Sequence, residues 1–462
     1  MRPTWQSFWR SGRPGPIKLV AANADETLTA RVDDTTAEGR GVVRGNGKIV
    51  FIDGAIAGEL VRYRVRKRRR NYVDAELIEV LEASPDRVDP RCAVYGSCGG
   101  CALQHIEAGA QLRLKERVLR DNLQRIGGIE PQRWLDPIVG PAWAYRRKAR
   151  LGVKYVAKKG RVLVGFRERH APYVTDTARC ETLHPAVGER LEALAELIGG
   201  LSLRERIPQI EMAAGDNAVA LAFRVLDAPT TSDLEKLRAF ARNTGLAIYL
   251  QSGGADTIAP LPGSDVPESL RYRAPLADTD IHFQLADFIQ VNEGVNQQMV
   301  AQAVELLETG PDTRVLDLYC GLGNFTLALA RRSAAVVGVE GSASMVERAG
   351  LNASLAGLDN VDYRVADLAV DGALASLAGE SFDRVLLDPP RSGAAAVLDA
   401  IAGFAPRRIV YVSCHPGTLA RDVQSLTAEF GYTLAAAGAM DMFPQTAHCE
   451  AMALLTRGVS TP

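Results

Sequence analysis

The chain has 462 residues, enough for roughly three domains, and its 47% hydrophobic and 24% charged residues are in the proportions of a globular protein. No apolar run approaches the roughly 18 residues of a membrane span. The opening segment carries Arg2, Arg10, Arg13 and Lys18 without the apolar stretch or cleavage site of a secretory leader, so no membrane association and a cytoplasmic location are expected. The net charge of -1 conceals a division: residues 1–170 hold 33 Lys and Arg against 19 Asp and Glu, a balance of +14, and the remainder stands at -15. A basic front and an acidic back point to polyanion binding in the first and chemistry in the second.

After a tail containing Pro and Gly, residues 17–82 show short alternating runs at 27–32, 48–52 and 73–80. Glycine turns at Gly39 and Gly41 and at Gly45 and Gly47 separate them, which predicts a small OB-like antiparallel barrel. The run from Arg62 to Arg70 supplies seven positive charges with Tyr63 and Tyr72 nearby. On a strand, Arg62, Arg64 and Arg66 share one face, suited to phosphates and stacked bases. The alternative is a solvated edge strand protected by charge. A second basic cluster, Arg146, Arg147, Lys148 and Arg150 through Lys158, Lys159, Arg161, Arg167 and Arg169, favours nucleic acid.

Residues 88–275 mix helical segments at 111–126 and 187–198 with strand-like runs at 162–166 and 218–225, an α+β region of open topology. Pro260 and Pro262 mark a plausible boundary, and residues 276–462 make a third domain. There the pattern turns regular: an amphipathic helix to Leu307, strand 314–319, a glycine turn, helix 325–332 and strand 335–340. Such alternation predicts an α/β, Rossmann-like doubly wound sheet with ligands at the carboxyl ends of its strands.

The turn after the first of these strands reads Asp317-Leu-Tyr-Cys-Gly-Leu-Gly-Asn324, where Gly321 and Gly323 let backbone approach a ligand. Glu340 ends the next strand about 20 residues on, where a carboxylate accepts from ribose hydroxyls. Thr326 stands at the third-glycine position, so the pyrophosphate fingerprint of a dinucleotide is incomplete. S-adenosylmethionine (SAM) has no pyrophosphate to cradle. Asp388-Pro-Pro-Arg391 follows another buried strand and places Asp388 at the same edge.

Strand 408–412 runs into Ser413-Cys414-His415, with a helix expected from about Thr418. A thiol before a helix N-terminus is expected to have a lowered pKa; the bland reading is an inert core cysteine. Uracil C5 is a poor nucleophile until a thiolate adds at C6, after which a base must remove the C5 proton. Glu450, beside the strand-like run 451–455, is the first candidate for that base, and His448 the second.

Seven cysteines in a reducing compartment read as metal ligands or reactive thiols before disulfides. Cys92, Cys98 and Cys101, with x5 and x2 between them, and distant Cys180 make four thiolates, enough for a structural zinc or a four-iron cluster. The spacing departs from the radical-SAM pattern, which has three residues between the first two cysteines.

Together these segments, with Phe288-Ile-Gln-Val-Asn292, Gly338-Val-Glu340 and Asp441 to Glu450, resemble the RNA (uracil-5)-methyltransferase family over nearly the whole chain, most closely its iron-sulfur-containing 23S rRNA branch. The resemblance implies SAM contacts from Gln290, Tyr319, Asn324, Glu340, Asp367 and Asp388, with Cys414 as nucleophile and Glu450 as base. It implies a [4Fe-4S] cluster on Cys92, Cys98, Cys101 and Cys180, an RNA-binding TRAM domain at residues 17–82, and 23S rRNA as partner, with no obligate protein partner inferred. Ile289 stands where many relatives have a second aromatic residue, and Tyr319 where many have Phe. The alternatives are a tRNA uracil-5 methyltransferase, an adenine-N6 enzyme sharing the acidic Pro-Pro motif, and a non-catalytic RNA-binding factor.

Overall fold

The computed structural model describes residues 27–45 and 47–458; positions 17–26 of the expected barrel, and Asn46 in its glycine turn, lie outside the described residues. The chain divides into two compact units, Met1–Val88 with His105–Glu107, and Asp89–Gln104 with Ala108–Pro462. No helix among the described residues is long and apolar enough to cross a membrane.

In the first unit, apolar and charged residues alternate along the strands, as a sheet with one buried face requires. Thr27–Arg31, Asp34–Thr35, Arg40–Val43, Ile49–Asp53, Leu60–Arg68 and Tyr72–Glu82 form a six-stranded curled sheet. The first strand pairs with Leu60–Arg68, and Ile49–Asp53 runs parallel to Tyr72–Glu82, an order consistent with a barrel-like domain. Its core holds Ile52, Val61, Tyr63 and Ala75, so Tyr63 is buried and not available to stack on a base. Tyr72 packs edge-on to Phe51, ring centroids 5.5 Å apart. Arg62, Arg64 and Arg66 share the outward face as expected, but each is neutralised by Glu79, Glu76 or Asp53. Lys67, Arg68 and Arg70 are exposed and make no ion pair among the described residues.

The second unit contains two large sheets. One is six-stranded, in the order Ile258–Pro260, Ala247–Gln251, Val219–Arg224, Gln209–Ala214, Lys148–Val156 and Arg161–Gly165. Helix Leu191–Gly199, with Leu191, Leu194 and Ile198 inward, closes its core together with Leu237 of helix Thr231–Thr244. The second basic cluster lies partly here and is largely compensated: Arg147 pairs with Asp216 and Glu293, and Lys159 and Arg161 both pair with Asp176.

The other sheet is eight-stranded, in the order Val361–Val365, Ala335–Glu340, Arg314–Leu318, Arg384–Leu387, Arg408–Ser413, Glu450–Thr456, Thr433–Met440 and Arg133–Trp134. The first five strands are mutually parallel, as β-α alternation predicts, with one apolar layer on each face. Glu450–Thr456 enters antiparallel to both of its neighbours. Helix Ala108–Arg125 and strand Arg133–Trp134, read from the sequence with the preceding α+β region, pack on this sheet, Leu119 and Leu123 entering the same core as Leu387 and Ala453.

Candidate active site

Strand direction brings the two proposed reacting groups together. Cys414 leaves the carboxyl end of Arg408–Ser413, and the antiparallel strand beside it begins at Glu450, with Ser413 opposite Ala451 and Met440 opposite Glu450. The first residue of an antiparallel strand lies at the edge where its neighbour ends. A cavity of about 630 Å³ opens at this edge, within the usual size of a small-molecule pocket. Its walls include Cys414, Glu450 and His448, and all six residues expected to contact SAM: Gln290, Tyr319, Asn324, Glu340, Asp367 and Asp388.

The glycine turn is shaped by the backbone. Gly321 and Gly323 have φ of 56° and 91°, and a Cβ on Gly323 would lie 2.7 Å from the Tyr363 hydroxyl, so only glycine fits there. Tyr319 adopts φ 65°, uncommon for a residue with a side chain, and its hydroxyl donates to the Leu368 carbonyl at 3.2 Å. Glu340 accepts from the backbone N–H of Ser342 at 3.0 Å and of Gly321 at 3.3 Å. Asn324 exchanges hydrogen bonds with Asn296 and accepts from the Tyr272 hydroxyl at 3.1 Å. Gln290 is half-buried, and Asp367 is exposed on the rim, accepting from Ala369 N–H at 3.0 Å. Thr326, which breaks the dinucleotide fingerprint, donates its hydroxyl to buried Asp317 at 2.5 Å.

Burial dominates the electrostatics. It pushes the Asp388 carboxyl up to about 7 and that of Asp317 likewise to about 7. Glu450 is raised to about 8, first by burial and then by Asp388, with Arg391 and Lys115 opposing. Cys414 does not show the lowered pKa expected from its helix: burial, Glu450 and Asp388 raise it to about 11, against Arg391. His415 Nδ1 accepts from Thr418 N–H at 3.2 Å at the start of helix Pro416–Ala428, so the imidazole, and not the thiol, answers that terminus. His448 packs beside Phe443, and partial desolvation together with Arg391, Arg146 and Lys115 lowers its pKa.

Arg391, Phe443, Phe288 and Tyr272 also line the cavity, with no role assigned to any of them from the sequence. Arg391 and Phe443 lie inside the motifs Asp388 to Arg391 and Asp441 to Glu450, where their charge and ring were a readable signal. Phe288, 67% exposed, stands two residues before Gln290. Tyr272 comes from the separate hairpin Leu270–Arg273 and Asp280–Phe283, and no local pattern announces it.

Cys92, Cys98, Cys101 and Cys180 line one small pocket away from this cavity. Burial raises the Cys92 and Cys98 thiols and takes Cys101 up to about 12, with the neighbouring cysteines adding to each shift. Among the described residues no group of three or more His, Cys, Asp or Glu side chains is arranged to hold a metal ion.

The family described as tRNA (Uracil-5-)-methyltransferase matches residues 144–458. The 23S rRNA (uracil(1939)-C(5))-methyltransferase RlmD of Methylococcus capsulatus is 48% identical over 446 residues, covering 96% of this chain and 100% of the relative. The protein of the same name from Alkalilimnicola ehrlichii is 51% identical over 432 residues, covering 94% and 97%. Among solved structures, Pyrococcus abyssi tRNA (uracil-54, C5)-methyltransferase in complex with S-adenosyl-L-homocysteine superposes with a TM-score of 0.70 at 25% identity, covering 93% of this chain and 100% of that one. With the cavity at the carboxyl edge of the sheet and these matches along almost its whole length, the chain belongs to the RNA (uracil-5-)-methyltransferase family.

Proposed function

We propose that this protein methylates C5 of a uracil in 23S rRNA with SAM as methyl donor, through a covalent adduct between Cys414 and C6 of the base. The observation that carries the reading is the convergence of Cys414 and Glu450 on the cavity that also gathers all six expected SAM contacts. The name shared by the bacterial relatives supports 23S rRNA over tRNA.

The Cys414 sulfur forms a bond to C6, and the electrons of the C5–C6 double bond move toward C5 and its neighbouring carbonyl. C5 then takes the methyl group, leaving S-adenosylhomocysteine. Glu450 accepts the C5 proton, the double bond re-forms and the C6–S bond breaks, returning Cys414 as thiolate. Arg391 is the cation that favours that thiolate, against the burial that holds it protonated. Glu340 accepts from ribose hydroxyls in this reading, and Asp388 lines the same cavity as the reacting groups. To reach C5 and C6, the base must leave its stack.

The finer assignments belong to the same proposal. Residues 17–82 act as a TRAM-type RNA-binding domain, 88–275 as a central α+β domain and 276–462 as the methyltransferase domain, in a cytoplasmic protein. Cys92, Cys98, Cys101 and Cys180 hold a [4Fe-4S] cluster. Their shared pocket, and the raised thiols of Cys92, Cys98 and Cys101 in it, fit a cationic centre, since bound metal favours thiolates that otherwise repel one another. Iron and acid-labile sulfide in the purified protein support the cluster, and zinc alone replaces it with a structural zinc site.

Labelled-methyl transfer to separate 23S rRNA fragments and tRNA, followed by mapping of the product, tests the main reading. Methylation of uracil C5 in the rRNA is expected. Transfer to tRNA alone overturns the substrate, and activity retained by Cys414→Ala overturns the mechanism in favour of amino methylation.

A further inference from the structure

The loop that ends in Glu450 is held by a helix that takes no part in the chemistry. Lys115 of Ala108–Arg125 is 2% exposed, and its Nζ donates to Asp441 Oδ1 at 2.6 Å and to the Phe443 carbonyl at 2.9 Å. Gln111, one turn earlier on the same face and equally buried, donates Nε2 to Gln445 Oε1 at 3.0 Å and accepts from Gln445 N–H at 3.1 Å. The far end of the loop returns to the same turn of helix, where the Cys449 thiol donates to the Lys115 carbonyl at 3.4 Å.

Other contacts make the grip specific. Gln445 has φ 69°, a left-handed conformation that surrounding bonds must hold in place. Its carbonyl accepts from the N–H groups of Ala102 at 2.8 Å and Leu103 at 3.0 Å, the residues directly after Cys101. The Tyr145 hydroxyl donates to the Pro444 carbonyl at 3.0 Å. An ammonium and an amide buried on one helical face are costly to desolvate, and here both are used on the loop.

We propose that Lys115 and Gln111 are positioning residues for proton abstraction: by fixing residues 441–449 they set the Glu450 carboxylate against C5 of the methylated adduct. This rests on Glu450 being the base. Lys115 also acts on Glu450 through its charge, alongside Arg391 and against Asp388.

The test separates the steps of the reaction in the full-length protein with a 23S rRNA fragment carrying tritium at uracil C5. Adduct formation, methyl incorporation and tritium release are followed for wild type, Glu450→Gln, Gln111→Met, Lys115→Arg and the double variant Lys115→Met with Asp441→Asn, which leaves no buried charge unpaired. Adduct formation and methyl incorporation in a single turnover are expected to stay near wild type, while tritium release slows about tenfold to a hundredfold in Gln111→Met and in the double variant. Lys115→Arg is expected to recover part of the release rate. Unchanged release in Gln111→Met and the double variant overturns the proposal, as does a fall of methylation and release by the same factor. If the double variant does not fold, the uncharged Gln111→Met decides alone. Failure of Glu450→Gln to accumulate adduct overturns the base assignment instead, so the two readings fail by different results.

Discussion

Two pockets of the second unit gather groups that commonly ionise, and burial drives both sets toward their neutral forms. In the cavity at the sheet edge, Glu450 and Cys414 are raised to about 8 and about 11, but Arg391 opposes both shifts and Lys115 opposes the first. In the four-cysteine pocket neighbouring cysteines add to the burial that raises Cys92, Cys98 and Cys101, and Cys101 reaches about 12 with no cation among the leading influences on it. The first pocket is roomy and carries its own counter-charges. The second is small, and burial is the largest influence on Cys92, Cys98 and Cys101 there.

The strongest way to break this comparison is to remove the sulfur that each pocket depends on. Cys414→Ala is expected to lower methyl transfer to background with the melting temperature near wild type, read by labelled-methyl incorporation and thermal denaturation. Glu450→Gln is expected to slow turnover by about 10²- to 10⁴-fold and to accumulate a covalent RNA–protein band on denaturing gels. Cys101→Ser, by contrast, is expected to lose iron and sulfide and to melt several degrees lower, because it acts through folding; a wild-type melting curve would remove the structural role.

Acidity sharpens the contrast further. Glu450 must be ionised to accept a proton, so the rate of adduct release is expected to rise with pH up to about 8 and then level off. Stability runs the other way. The folded protein raises the Glu450 and Asp388 carboxyls, so their contribution to folding is complete below the unfolded values near pH 4 and is lost as pH climbs through about 7 to 8. Melting curves of Glu450→Gln are therefore expected to converge with wild type near about pH 4, to gain on it as pH climbs, and to keep a constant advantage above about pH 8.

The smallest effects belong to the first unit. Arg64→Ala removes an exposed pair with Glu76 and is expected to change stability by less than about 1 kcal/mol. Replacing Lys67, Arg68 and Arg70 together should weaken RNA binding and flatten its salt dependence by about one counterion for each phosphate no longer neutralised. Equal weakening from both sets, measured by titration across salt concentrations, would show that the ion-paired arginines bind RNA as well.

Much of the machinery was legible locally. The β-α alternation predicted strands 314–319 and 335–340, observed as Arg314–Leu318 and Ala335–Glu340, because a parallel strand buried on both faces is a continuous apolar run between turns. Glu340, Asp388 and Cys414 were readable because each stands at a strand end, and Gly323 because it lies in the turn that follows one. The charge runs misled for a related reason: a count along the chain registers Arg62, Arg64 and Arg66 but not Glu79, Glu76 and Asp53 on neighbouring strands. The expected activation of Cys414 failed similarly, since helix position is a local property and the burial that outweighs it is not.

The sequence by itself determined the α/β class, the cofactor edge and the residue types able to attack and deprotonate uracil, because these follow from periodicity and side-chain chemistry. Only the tertiary structure decided that Glu450 lies beside Cys414, through an antiparallel strand whose Ala451 pairs with Ser413, the residues next to each of them. It also brought Tyr272 to Asn324, and Lys115 to a loop 326 residues further along the chain. Such pairings arise from strand order and helix packing, which join residues by shared burial irrespective of their distance in sequence.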